Sequence, residues 1–356
     1  MTIKIIDSQN KSKVKSMPTI QIRGTGSYLP SIRVTNPMFE KLVDTSEEWI
    51  TSRTGIQCRN LSDGEPVWHM GSQAASRALA AAGAAGREVD VVIASTVTPD
   101  YHTPSLSCIL QDEIGATEAF CLDINAACSG FVYAYDLALR YLCDADVHNV
   151  LIVCSERLSA ITDYTDRSTC VLFGDGAGAV LIGKSEDGKE EADLRSFVSR
   201  ATILGSEGHL GRHIVSRSEY TDHPFRTEAG GIPERFPENN GTFISMCGQE
   251  VYKFAVRVMV DSIQRVLDRN GLTMEEISWV IPHQANDRIL DASAKRLGMD
   301  PAKMVSYIAD LGNTSSASIP ISLDRMVAES KLHRGDRVIL CGFGGGLTYG
   351  AALMVY

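Results

Sequence analysis

The sequence predicts an α/β protein assembled from a duplicated unit, with helices covering mixed sheets. Three observations carry this. Short β-branched runs alternate along the chain with Ala-rich stretches of helical period. Two strand-like runs recur later in the same order at one shared offset: Val91-Val92-Ile93 with Trp279-Val280-Ile281, and Val150-Leu151-Ile152 with Val338-Ile339-Leu340. That offset is about 188 residues, the form in which an internal duplication shows itself. Third, 356 residues of which 44% are hydrophobic are enough to bury a large core.

Taken from the start, Met1 to Met17 has lysines but no sustained apolar region and no small-residue cleavage site, so it reads as a loosely held extension. A first strand is expected at Thr19–Arg23. Met70–Ala82 reads as a helix stopped by Gly83, Val91–Thr96 as a strand, Phe131–Leu142 as a helix and Val150–Cys154 as a strand. Phe173-Gly174-Asp175-Gly176 and Phe343-Gly344-Gly345-Gly346 form a third, looser echo. The charged stretch Lys184–Asp193 suits a solvated seam between repeats. The expected organisation is therefore an extension (1–18), a first half (19–190) and a second half (191–356). Between Glu207 and Asn240 lies a Gly-, Pro- and charge-rich segment with little periodicity, of the length that marks a functional lid or disorder.

Several classes are excluded. A net charge of −10 argues against a general nucleic-acid binder, which needs a basic face. No apolar stretch approaches the roughly 20 residues of a membrane span. The nine cysteines are odd in number and none has zinc spacing. Cys121, Cys154, Cys170 and Cys341 lie in or beside strand-like runs, as small buried hydrophobes do. A reduced, cytoplasmic protein without a metal site is expected.

One cysteine departs from that pattern. In Asp123-Ile124-Asn125-Ala126-Ala127-Cys128-Ser129-Gly130 a strand runs through small residues into a helix, placing Cys128 at the helix N-terminus. There the free N–H groups and the dipole are expected to lower the thiol pKa. A buried cysteine in a tight turn would read the same way. His283, in Pro282-His283-Gln284-Ala285-Asn286, follows a strand-like run at the end where open α/β sheets bind ligands, although a lone histidine is more often structural. Asn313 sits in the polar turn Gly312–Ser318, otherwise simply a loop before a helix. Gly344–Gly346 offer backbone N–H groups to an oxyanion, but lack the Lys-Ser/Thr of a phosphate-binding loop.

Together DINAACSGF, PHQAN, GNTSSAS and FGGGLTYGAAL, in this order, closely resemble β-ketoacyl-acyl-carrier-protein synthase III of the thiolase superfamily. DTSEEWITSRTGI (Asp44–Ile56) and TDRSTCVLFGDGAGA (Thr165–Ala179) extend the resemblance to about Thr19–Tyr356. It implies a thiolase-like duplicated fold, a five-layered α-β-α-β-α sandwich of mixed sheets, in a homodimer. It implies Cys128 as the acyl-carrying nucleophile, His283 and Asn313 as decarboxylation residues, and the Cys128 and Gly345 N–H groups as oxyanion donors. The substrates implied are an acyl-CoA and malonyl-acyl carrier protein, with no metal or redox cofactor. Trp49, Arg53 and Arg167 match the family's CoA nucleotide contacts, and Gly248 and Asn286 its pantetheine tunnel. Lys253, Arg288, Lys295 and Arg296 match its carrier-protein docking patch, though such charges are usually solvated helix faces.

The sequence also departs from the family. Thr103 stands where short-chain relatives often carry Phe, in a position that lines the acyl pocket across the dimer, so a deeper pocket is expected. Tyr220–Asn239 looks longer than the matching loop of compact relatives, and Gln249 replaces a frequent Asn. The rival readings are a starter-unit, quinolone-type or ester-forming relative of specialised metabolism with the same triad, and a noncatalytic acyl-binding protein.

Overall fold

The computed structural model describes residues 20–184, 191–218, 235–236 and 241–356. The expected extension (1–18), the centre of the 184–193 seam and nearly all of the 220–239 stretch lie outside the described residues. The strands are β1 (Ile20–Tyr28), β2 (Ile32–Thr35), β3 (Cys58–Leu61), β4 (Val91–Ser95), β5 (Phe120–Ile124), β6 (Asn149–Glu156) and β7 (Gly176–Lys184). Later come β8 (Thr202–Ser206), β9 (Ile214–Val215), β10 (Ser245–Met246), β11 (Trp279–Pro282), β12 (Arg337–Gly344) and β13 (Thr348–Val355). The helices are α1 (Asn36–Phe39), α2 (Glu47–Thr54), α3 (Val67–Ala82), α4 (Leu106–Glu113), α5 (Gly130–Tyr141) and α6 (Arg167–Cys170). They continue as α7 (Glu191–Ala201), α8 (Gly248–Asn270), α9 (Asp287–Leu297), α10 (Ile308–Leu311) and α11 (Ser318–Ala328).

Two mixed sheets form the frame, ordered β1-β7-β6-β4-β5 and β8-β13-β12-β11. Their shared part is a repeat in register as well as in sequence. Parallel β4 and β6 align Val91 with Val150 and Ile93 with Ile152; parallel β11 and β12 align Trp279 with Val338 and Ile281 with Leu340. In each sheet the next strand, β7 or β13, runs antiparallel. β4 and β6 are buried along their whole length, which is why they are continuous apolar runs rather than alternating ones. The third echo is looser because β6 and β7 are joined by a long connection carrying α6, whereas β12 turns into β13 through Gly345–Leu347. Cys170 accordingly lies in α6, a correction to its expected place beside a strand.

The layers follow from which faces are apolar. α3 and α4 cover the outside of the first sheet, and α8 with α9 the outside of the second. α5 and α11 fill the space between, α5 against β4, β6, β12 and β13, α11 against β1, β7 and β11. This is the five-layered duplicated thiolase-like arrangement. One contiguous apolar core runs from both sheets through α5 and α11.

α3 reaches its sheet through small residues. Ala74, Ala75 and Ala78 are fully buried, and the helix ends at Gly83, whose φ of 63° caps it. A Cβ on Gly26 of β1 would lie 2.4 Å from the Ala74 carbonyl oxygen and 2.5 Å from the Ala78 nitrogen. Backbone has no rotamer with which to yield. Gly26→Ala is therefore expected to destabilise the protein by about 1–3 kcal/mol through overpacking. Urea unfolding checks this as a lowered midpoint at unchanged slope; an unchanged midpoint would mean that α3 can move away from β1.

Candidate active site

The C-terminal ends of the parallel strands converge on one cavity of about 1220 Å³. Cys128, His283, Asn313 and Gly345, expected from four separate motifs, all line it. Cys128 follows β5 in the 3-10 turn Ala127–Ser129, which runs directly into α5. Ala127 takes a φ of 45°, a left-handed conformation unusual for a residue with a side chain. The β12 end lies against this turn so closely that a Cβ on Gly344 would sit 2.7 Å from the Cys128 Cβ and 3.0 Å from its Sγ. Glycine there is what admits the Cys128 backbone beside the Gly345 N–H.

His283 continues β11, its N–H donating to the Cys341 carbonyl at 2.7 Å. The ring is buried, edge-on to Phe343 with centroids 5.4 Å apart, and its Nδ1 lies 2.7 Å from Ser318 Oγ. Asn313 is held by backbone bonds on both sides: its N–H donates to the Leu172 carbonyl and its carbonyl accepts from Gly174, each at 2.9 Å. Its side-chain Oδ1 accepts from the Ser315 N–H at 2.9 Å, so the amide NH₂ is the end left to face the cavity.

The electrostatics differ from the sequence expectation. Burial pushes the Cys128 thiol up to about 12; the Ser315 hydroxyl opposes the rise and the Glu156 carboxyl adds to it. Burial also lowers His283 to about 3, so the ring is neutral throughout the physiological range.

The remaining expected residues are distributed around the cavity. Trp49 and Arg53 of α2 line its rim, with the guanidinium carbons of Arg53 and Arg167 5.9 Å and 4.9 Å from the Trp49 ring centroid. Arg167 does not itself line the cavity and is tied to the Asp44 carbonyl at 2.8 Å. Gly248, at the start of α8, lines the wall. Asn286 does too, but its amide is engaged: Nδ2 donates to the Arg53 carbonyl and Oδ1 caps α9 at the Arg288 N–H, both at 2.9 Å. Of the four docking cations only Arg288 reaches the cavity; Lys253 is paired with Glu250 at 2.8 Å, and Lys295 and Arg296 lie at the far end of α9. Thr103 is exposed and does not line the cavity within this chain, whereas its neighbour His102 does.

Sequence reasoning missed the polar frame behind these residues. Ser318 fixes the His283 ring, and Glu156, buried at the end of β6, accepts from Ser316 Oγ at 2.7 Å. The signal for Glu156 was a carboxylate closing an apolar run; the signal for Ser318 was only a serine among serines. Among the described residues no group of three or more His, Cys, Asp or Glu is placed to hold a metal ion, and no helix is long and apolar enough to cross a membrane.

Comparison with known proteins gives the family. The family model of 3-oxoacyl-[acyl-carrier-protein] synthase III matches residues 122–201, and that of its C-terminal region residues 267–356. The β-ketoacyl-[acyl-carrier-protein] synthase III of Clostridium acetobutylicum is 42% identical over 339 residues, covering 95% of this chain and 99% of that protein. The crystal structure of 3-oxoacyl-[acyl-carrier-protein] synthase III from Aquifex aeolicus superposes with a TM-score of 0.83 at 41% identity, over 95% of this chain and 100% of that one. The priming β-ketosynthase of the R1128 polyketide biosynthetic pathway gives 0.83 at 32% identity, over 97% and 98%. With identity of this order over nearly its whole length, the chain belongs to the 3-oxoacyl-[acyl-carrier-protein] synthase III family.

Proposed function

We propose that the chain catalyses the decarboxylative Claisen condensation of an acyl-CoA starter with malonyl-acyl carrier protein, initiating fatty-acid synthesis through an acyl-Cys128 intermediate. The observation that carries this is the meeting of Cys128, His283 and Asn313 in one cavity from three distant chain segments. Acylation of the thiol divides one difficult reaction into two easier ones. Loss of CO₂ from the malonyl group then builds enolate charge on its thioester oxygen, where the His283 ring and the Asn313 NH₂ donate. The carbanion attacks the acyl-Cys carbonyl, and the Cys128 and Gly345 N–H groups hold the oxyanion that forms there. Neutrality suits His283 to this role, because a neutral imidazole still carries one N–H to donate, and Ser318 at its Nδ1 keeps the ring in place.

The substrate side of the reading follows the family. CoA thioester serves as substrate rather than resident cofactor, its nucleotide against Trp49, Arg53 and Arg167 and its pantetheine arm passing Gly248 and Asn286. Arg288, backed by Lys253, Lys295 and Arg296, meets the acidic carrier protein. The first half (19–190) supplies the nucleophile and the second (191–356) its helpers. A cytoplasmic homodimer completes the reading, because Thr103 can shape an acyl pocket only from a partner copy. A starter-unit ketosynthase of specialised metabolism is the second reading, supported by the similarity to the R1128 priming enzyme. Acceptance of malonyl-acyl carrier protein against malonyl-CoA separates them.

Intact-mass measurement with a panel of acyl-CoAs, without malonyl donor, is expected to give one acyl adduct that Cys128→Ala lacks. Adducts confined to acetyl would overturn the deeper pocket inferred at Thr103, and no adduct from any acyl-CoA would overturn the loading step. His283→Ala and Asn313→Ala are each expected to slow condensation about 10²–10³-fold while leaving acylation in place; a loss of acylation alone would reassign them. Because the folded His283 titrates near 3 rather than 6.5, its ring is neutral at every pH above about 4. Condensation by pre-acylated enzyme is thus expected to show no inflection near pH 6.5. An inflection there that His283→Ala removes would contradict the buried neutral ring.

A further inference from the structure

Cys128 and Asn313 reach the cavity on different supports, and that of Asn313 leads to a buried cation. The Cys128 turn hangs on β12 and β13: Ser129 Oγ lies 2.7 Å from Thr348 Oγ1, and Gly342 and Gly344 close over the turn. Asn313 is registered instead by a one-residue parallel bridge to Phe173, through the Leu172 carbonyl and the Gly174 N–H. The place of Asn313 is therefore set by the segment 171–174.

Arg59 of β3 holds that segment. Its side chain is the largest fully buried one among the described residues. Nη2 donates to the Val171 carbonyl, while Nη1 donates to Asn36 Oδ1 at 3.0 Å and reaches the Val34 carbonyl at 3.4 Å. The guanidinium carbon stands 4.6 Å from the Phe39 ring centroid. The stem packs against both strands of the bridge: a Cβ on Gly312 would lie 3.0 Å from the Arg59 Cβ, and one on Gly174 3.1 Å. Next to it the Asn60 carbonyl accepts from the Asp175 N–H at 2.8 Å. Among the described residues carbonyls, an amide oxygen and a ring meet this cation, and no carboxylate does. Filling the same space with an apolar side chain would cost less, because a buried charge is offset only by the bonds it makes. What arginine adds here is a planar fork that fixes acceptors from separate segments at once.

We infer that Arg59 is a positioning residue for Asn313, holding the segment 171–174 so that the amide NH₂ stays aimed at the thioester oxygen of the malonyl group. Arg59 does not line the cavity and acts through the Phe173–Asn313 bridge. The inference rests on the acyl-transfer reading and deepens it, by giving one half-reaction a frame of its own. A displacement of about 1 Å made far from the chemistry can slow a reaction about 10²-fold. Loosening this frame therefore slows decarboxylation of the malonyl donor. Loading of Cys128, whose turn hangs on β12 and β13, is spared.

The test measures two rates on the full-length protein: loading of Cys128 by acyl-CoA, followed by intact mass, and CO₂ release from malonyl-acyl carrier protein by enzyme already acylated. Arg59→Met keeps the stem and removes the donors. It is expected to load at an unchanged rate and to release CO₂ about 10²-fold more slowly. Arg59→Lys, which keeps the charge but not the fork, is expected to fall between. Phe39→Leu takes away the ring beside the guanidinium and leaves the donors, so it is expected to lower the melting temperature and keep the ratio of the two rates. With Asn313→Ala already in place, Arg59→Lys is expected to slow CO₂ release no further, because the residue it acts through is gone. If Arg59→Met does not fold, Arg59→Lys, alone and combined with Asn313→Ala, carries the same comparison. Equal slowing of both rates, no slowing of either, or a full further loss on top of Asn313→Ala would overturn the inference and leave Arg59 a strut. Unsubstituted protein that neither loads nor releases CO₂ would overturn the acyl-transfer reading itself, so the two failures are distinguishable.

Discussion

Two short turns set the position of everything at this site. Ala127–Ser129 and Ser315–Ala317 each begin with a residue in the left-handed region, at φ of 45° and 49°, and each runs directly into a helix, α5 or α11. They are related by the same offset of about 188 residues that relates the strands. A left-handed non-glycine residue is strained by roughly 1–3 kcal/mol and persists only where its surroundings fix it. Here those surroundings are the other turn. A Cβ on Gly130 would meet Ser95 Oγ at 2.0 Å and the Ser316 Cβ at 3.2 Å, and one on Gly342 would meet the Ser129 Cα at 2.8 Å. The two repeats lock each other's turns, and Cys128 and the Asn313 amide are fixed by one close packing of backbone on backbone.

That closeness has an electrostatic consequence. Small residues packed edge to edge draw the sulfur and the imidazole back from bulk water, although Cys128 keeps part of its surface open to the cavity, and burial raises the thiol and lowers the imidazole. A site of neutral groups has little charge to desolvate before reaction. Charge then appears only as the reaction proceeds, where fixed donors are already aimed. Glu156 is the exception. Its anchoring by donors from the loop after β4 and from Ser316 ties the Asn313 turn to the first sheet.

Much of this is legible in the sequence because it is periodic. The strands of the duplicated pair contain the echoed runs and extend them by up to four residues, and the shared offset anticipates the matching registers of β4 with β6 and β11 with β12. The cavity residues are legible because each stands in a motif, Cys128, His283 and Gly345 beside strand ends and Asn313 in a polar turn before a helix. Other features are not. The direction of the Cys128 shift depends on how deeply the sulfur is packed, a property of β12 lying over the turn that no local pattern encodes. Ser318 and Glu156 act through partners 35 and 160 positions away, so neither has a spacing to read. Asn286 reads in the sequence as a tunnel residue, yet both ends of its amide join α2 to the start of α9.

The repeats diverge where the site needs unlike walls. After β6 the chain makes a long connection that carries α6, and from it Arg167 reaches over the Trp49 ring at the rim. After β12 the equivalent connection shrinks to Gly345–Leu347, because a side chain at Gly344 would strike Cys128 and a longer loop would cover it. The same structural position thus yields a projecting aromatic and cationic rim in one copy and a bare row of backbone N–H groups in the other. Duplication gives the site its paired strand ends and paired turns. The unequal connectors then give the cavity two unlike walls, cations and an aromatic ring on one side and backbone N–H groups on the other.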